Sequence, residues 1–97
     1  MRVLHLLQSS RFSGAENVVC QIIKMFENDN ALTMAYCSRD GQIRSSLEEK
    51  NIKFYPINDL NVAEVKRVIN EYKPNIIHAH DMRASVIAAI AAKTNIK

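Results

Sequence analysis

Four strand-like runs alternate with four helix-like runs along 97 residues, and only short polar joins separate them. Residues 3–7 are nearly continuous apolar sequence, as expected of a strand covered by helices on both faces. Residues 31–37, 52–57 and 75–79 read as the other three strands. Strict alternation with short joins leaves a parallel sheet with right-handed crossovers as the only simple solution. The expected fold class is therefore α/β, a Rossmann-like three-layer parallel sheet of order 3-2-1-4, half of a doubly wound fold.

The helices carry their own start and stop signals. Ser13-Gly14-Ala15-Glu16 has capping-box spacing, and Val18, Val19, Ile22, Ile23 and Phe26 follow at helical spacing until Asn28-Asp29-Asn30. Asp40-Gly41 marks a turn before a short helix over 43–50. Phe54 and Pro56 set the third strand near a sheet edge. Asn61-Val62-Ala63-Glu64 is a second capping box; Val62, Val65, Val68, Ile69 and Tyr72 form its buried stripe, and Pro74 stops the helix. The last helix, 82–93, is rich in Ala and Ile. The fourth strand reads as fully buried, yet the expected order leaves it at an edge. An apolar parallel edge is a liability. The chain is accordingly expected to be part of something larger, with self-association through that edge as another way to cover it.

The length suits one domain with one core. Hydrophobic residues make up 47% and charged ones 24%, an ordinary globular balance. The net charge of +3 is scattered, and Lys66, Arg67 and Lys73 sit on the polar side of a helix, so no nucleic-acid partner is expected. Cys20 and Cys37 form no CxxC pair and read as buried free thiols, which suits a reducing cytoplasm. No apolar run has transmembrane length, and the first residues read as a strand rather than a leader. Contact with the inner face of a membrane remains compatible with this.

The chemistry-bearing residues gather where strands hand over to helices, the end at which open α/β sheets bind ligands. His80 stands at the fourth such junction, and an imidazole there can exchange protons near neutral pH. Asp81 reads equally as a helix cap and as a site residue, with Arg83 as its local partner. The first junction, residues 8–14, offers small polar residues and Gly14 ahead of a helix whose free amides and dipole favour an anion. It carries neither GxGxxG nor a P-loop lysine, so no dinucleotide or other cofactor is expected. His78 and His5 read as structural. His78 and His80 share a face but lack a third donor, so no metal is expected. Glu16 reads as the reciprocal cap, Tyr36 and Tyr72 as core or interface residues, and no Ser-His-Asp set or paired carboxylates stand out.

The opening Arg-Val-Leu-His-Leu-Leu, the Ser13-Gly14-Ala15-Glu16-Asn17-Val18-Val19 segment and Pro74-Asn75-Ile76-Ile77-His78-Ala79-His80 together resemble the N-terminal domain of family 4 retaining glycosyltransferases. The resemblance covers essentially the whole chain, and it rests on the order and spacing of the motifs. It implies half of a GT-B architecture, a hexosyltransferase in which this half binds a glycan or lipid-linked acceptor. A missing C-terminal domain would bind the nucleotide-sugar donor and carry a pair of glutamates. It implies that the Gly14 loop, with Ser13 and Ala15, faces the donor diphosphate and acceptor, and that His80 is the catalytic-site histidine; Asp81 and Arg83 are expected beside them among the substrate-binding residues. It implies polysaccharide biosynthesis and an isolated fragment without activity. Two positions depart from the family: Ser13-Gly14 replaces two adjacent glycines, and Asn17 stands where a basic residue is common. The competing expectations are a non-catalytic α/β module binding a phosphorylated small molecule or a protein, and a flavodoxin-like signalling domain. The last would need an acidic cluster or phosphate loop at the strand ends, and neither is evident.

Overall fold

The eight expected elements form in the expected order in the computed structural model, which describes residues 1–95. They are β1 (Arg2–Leu6), α1 (Gly14–Met25), β2 (Thr33–Arg39), α2 (Ile43–Glu49), β3 (Phe54–Ile57), α3 (Val62–Tyr72), β4 (Ile76–Ala79) and α4 (Met82–Asn95). The sheet has the order β3-β2-β1-β4, and every pairing is parallel. Leu4 pairs with Ala35 on one side and Ile77 on the other, which makes β1 the central, doubly covered strand that its apolar sequence requires.

Alternation of side chains along the strands divides the core into two layers. Leu4, Leu6, Ala35 and Cys37 pack against Val65, Val68 and Tyr72 of α3 and Ala84, Ala88 and Ala91 of α4. Leu7 and Tyr36 pack on the opposite face against Val19, Cys20 and Ile23 of α1 and Ile43 and Leu47 of α2. Both cysteines are buried and free; burial pushes the Cys37 thiol up to about 12 and raises that of Cys20, which leaves both as inert core groups.

Three details differ from the sequence pattern. In α1 the buried side is Glu16, Val19, Cys20 and Ile23, while Val18 is 52% exposed. The helix is rotated toward Cys20, which a count of large aliphatics alone misses. At α3 only half the capping box forms: Asn61 Oδ1 accepts the Glu64 N–H at 2.9 Å, but the Glu64 carboxylate turns to the Asn58 N–H at 2.8 Å. Finally, β4 is not fully buried. Ile76 is 46% exposed, because no strand among the described residues lies beyond it.

Candidate functional site

The register of β1 against β4 sets His5 directly opposite His78. The N–H of His80 donates to the Leu6 carbonyl at 3.0 Å, extending the same ladder by one step past β4. Alternation then sends His5, His78 and His80 to the face covered by α1 and α2. The His78 and His80 rings stack with centroids 4.0 Å apart, and His5 lies 5.1 Å from His80 and 5.4 Å from His78. His5 Nδ1 is 2.9 Å from His80 Nε2, and His5 Nε2 is 3.3 Å from the Met34 sulfur.

His5 and His80 are poor cations where they sit. Burial, reinforced by repulsion from His80 and His78, lowers His5 to about 4. Burial also lowers His80, with His78 adding to the effect and Asp81 opposing it. Both rings are neutral at pH 7, able to accept at one nitrogen and donate at the other. The three rings each offer a nitrogen within 4.8 Å of the others, so His5 is the third donor that the sequence pattern lacked. His5 and His80 already face each other at hydrogen-bond distance.

A cleft of about 410 Å³ opens beside His80 at the carboxyl ends of β1 and β2. Ala15 at the amino end of α1, Arg11, Arg39 and Asp81 share its wall. The loop between β1 and α1 is held in place from three sides. Asp81 Oδ2 accepts the Gln8 N–H at 2.8 Å, while its Oδ1 caps α4 through the Ala84 N–H at 2.8 Å. The Ser10 carbonyl accepts the Ile43 N–H at 2.8 Å. Gly41 passes so close that a Cβ there would meet the Ser10 side chain at 2.9 Å, so only glycine fits without displacing the loop. Glu16 Oε1 takes the Ser13 N–H at 2.9 Å and also the Ser13 hydroxyl. The two carboxylates of the cleft are thus engaged with the scaffold. Among the described residues neither Arg11 nor Arg39 is ion-paired, and Arg39 makes only a long 3.5 Å contact with the Gln8 carbonyl. The free charge in the cleft is cationic, which suits an anionic ligand.

Of the residues singled out from the sequence, His80, Ala15 and Asp81 line this one cleft. Ser13 and Gly14 are exposed and do not line it, and a Cβ at Gly14 would meet nothing within 4 Å. The glycine there is not demanded by the chain's own packing. Arg83 does not line the cleft; it borders a neighbouring shallow depression with Gln8, Met82, Val86 and Ile87. It makes no ion pair with Asp81, whose oxygens are occupied by backbone amides. Sequence reasoning missed Arg11, Arg39 and the involvement of His5. The parity of His5 with His78 was the available signal, since adjacent parallel strands bring such residues side by side. A larger hollow of about 700 Å³ runs along the free edge of β4 and α4, but it offers no carboxylate, lysine or arginine.

The family model described as glycosyl transferase 4-like matches residues 4–97. The chain belongs to this family. Among solved structures it resembles a UDP-GlcNAc 2-epimerase from Neisseria meningitidis bound to UDP-GlcNAc, with a TM-score of 0.68 over 95% of the chain at 20% identity. That likeness is one of fold, and it bears out the α/β, GT-B-type half read from the sequence. The chain spans 29% of that protein's length. No curated protein matches it. Among the described residues no helix is long and apolar enough to cross a membrane.

Proposed function

We propose that this chain is the N-terminal, acceptor-side part of a retaining hexosyltransferase. It works with a C-terminal domain to move a sugar from a nucleotide-sugar donor to a glycan or lipid-linked acceptor in polysaccharide biosynthesis. Membership in the glycosyl transferase 4-like family supports the reaction class. The structural neighbour was solved with UDP-GlcNAc, a ligand of the proposed donor class. The cytoplasm, at the inner face of a membrane, is the proposed compartment, in keeping with two free buried thiols.

The observation that carries the reading is the shared cleft: His80 and the amino end of α1 border one space with two unpaired arginines. Sugar transfer with retention breaks the bond between the sugar's anomeric carbon and the diphosphate. It then forms a new bond to an acceptor hydroxyl on the same face. The departing diphosphate gathers negative charge, which helix-terminal amides and the Arg11 and Arg39 guanidinium groups can stabilise. Neutral His80 hydrogen-bonds the transferred sugar or the acceptor hydroxyl. Ser13, Gly14 and Ala15 form the donor-facing lip, and Asp81 holds the start of the loop that leads into them.

In the two-domain protein, His80→Ala is expected to lower kcat/KM for transfer by about 100-fold or more while circular dichroism stays unchanged. Unchanged turnover would remove His80 from the reaction. The 97 residues alone are expected to transfer no sugar from any of a panel of nucleotide-sugars. Transfer by the purified chain would show that the second domain is dispensable.

A further inference from the structure

Beyond that reading, and resting on its use of His80, we propose that His5 is a positioning residue. It accepts the Nε2–H of His80 and so leaves His80 Nδ1 unprotonated, as the hydrogen-bond acceptor offered to the cleft. The assignment starts at Met34. A thioether sulfur has no proton to give, so the 3.3 Å contact with His5 Nε2 is attractive only when that nitrogen carries the hydrogen. His5 is 1% exposed and neutral, and a neutral imidazole has one N–H. Its Nδ1 is therefore a bare acceptor. The group facing it at 2.9 Å, His80 Nε2, must then be the donor. His80 is neutral as well, and its one hydrogen is now placed.

The reverse arrangement sets the lone pair of His5 Nε2 against sulfur lone pairs and turns His80 Nδ1 into a donor. The two arrangements give the cleft opposite polarity. Only the first offers an acceptor to a sugar or acceptor hydroxyl. The two ring nitrogens of an imidazole point in widely diverging directions, so His80 Nδ1 is aimed away from β1. Among the described residues no other hydrogen bond reaches that ring. The His78 ring stacked 4.0 Å away hinders rotation out of this pose. His5 itself touches no ligand in this scheme; it acts through His80.

The test is a long-range 1H–15N spectrum of the protein labelled at its histidines, taken at pH 8 where the rings are neutral. His80 is expected as a single tautomer protonated at Nε2. His5→Leu should release it to a mixture of both tautomers. His5→Asn, whose side-chain oxygen stands where Nδ1 stood, should restore the single form. A wild-type His80 protonated at Nδ1 overturns the proposal even if His5→Leu does not fold. So does a folded His5→Leu variant with the tautomer unchanged. The measurement needs no sugar transfer. An expected tautomer alongside a fully active His80→Ala enzyme would sink the functional reading and leave the Met34–His5–His80 chain standing.

Discussion

β3 and β4 both lie at edges of one sheet, yet β3 carries Pro56 where β4 carries an exposed Ile76. Pro56 has no N–H to offer a further strand, and its carbonyl accepts Arg67 Nη2 at 3.0 Å. The Arg44 guanidinium lies 5.3 Å from the Phe54 ring centroid, and the Lys53 ammonium 5.4 Å from that of Tyr55. Charge, proline and short length are the usual means of closing an edge. β4 is equally short, at four residues, but it carries neither charged side chain nor proline. On α4, Val86 is 54% and Ile90 46% exposed, so apolar side chains also stand open on that helix. The lesson lies in where the open edge falls. It adjoins His78 and His80, so whatever covers β4 also borders the candidate site, while the β3 side serves as closed scaffold.

The sharpest way to break this contrast is to compare stability costs on the two sides. Leu47 is fully buried between α2 and the sheet, and Leu47→Ala should cost about 2–5 kcal/mol in urea unfolding. Ile90→Ala, on the open face of α4, should stay within about 0.5 kcal/mol. Comparable losses at the two positions would mean that the α4 face is already covered in solution.

A second test uses acid, because β1 holds a buried histidine, His5. His5 ionises at about 4 in the folded chain against 6.5 for an ordinary histidine. The unfolded chain therefore binds the proton first, and stability falls as pH drops from about 6.5, levelling off near 4. His80, lowered in the same direction, adds to the trend. The gap between 6.5 and about 4 sets a ceiling of about 3–4 kcal/mol for His5. Urea unfolding of wild type and His5→Leu between pH 7 and 4 should show a flatter profile for the variant. Identical profiles would mean that His5 is not the acid-sensitive group.

How legible each part was follows from the range of the forces involved. The sheet order and the helix starts at Ser13 and Asn61 come from local periodicity and caps, which depend on neighbours a few residues away. His80 was legible as the end of an apolar strand. The Met34–His5–His80 chain was not, since it joins residues 29 and 75 positions apart through strand register. Arg11 and Arg39 were likewise hidden, because they meet only when β1 and β2 deliver their loops to the same end. Arg83 does not form the expected pair with Asp81, for the opposite reason. Its nearness to Asp81 in sequence suggested a pair, but the carboxylate is occupied by the amides of Gln8 and Ala84. Ile76 looked buried because apolar strand sequence says nothing about whether a neighbouring strand is present.

The smallest expected effect concerns that neighbour. If β4 is an unfinished edge, the chain by itself should associate weakly through it, one β4 pairing with another and burying Ile76 along with the outer face of α4. Ile76→Lys places a charge in the middle of such a pairing without disturbing the core, since Ile76 is already 46% exposed. Sedimentation velocity across a wide concentration range should show self-association in the wild type, weakened at least tenfold, or by about 1.4 kcal/mol, in the variant. A wild-type chain that stays monomeric throughout would argue that a bare apolar parallel edge is tolerated here. Its exposure would then be no guide to a partner beside His78 and His80. Association that Ile76→Lys leaves untouched would instead move the contact to another surface and separate the open edge from the behaviour in solution.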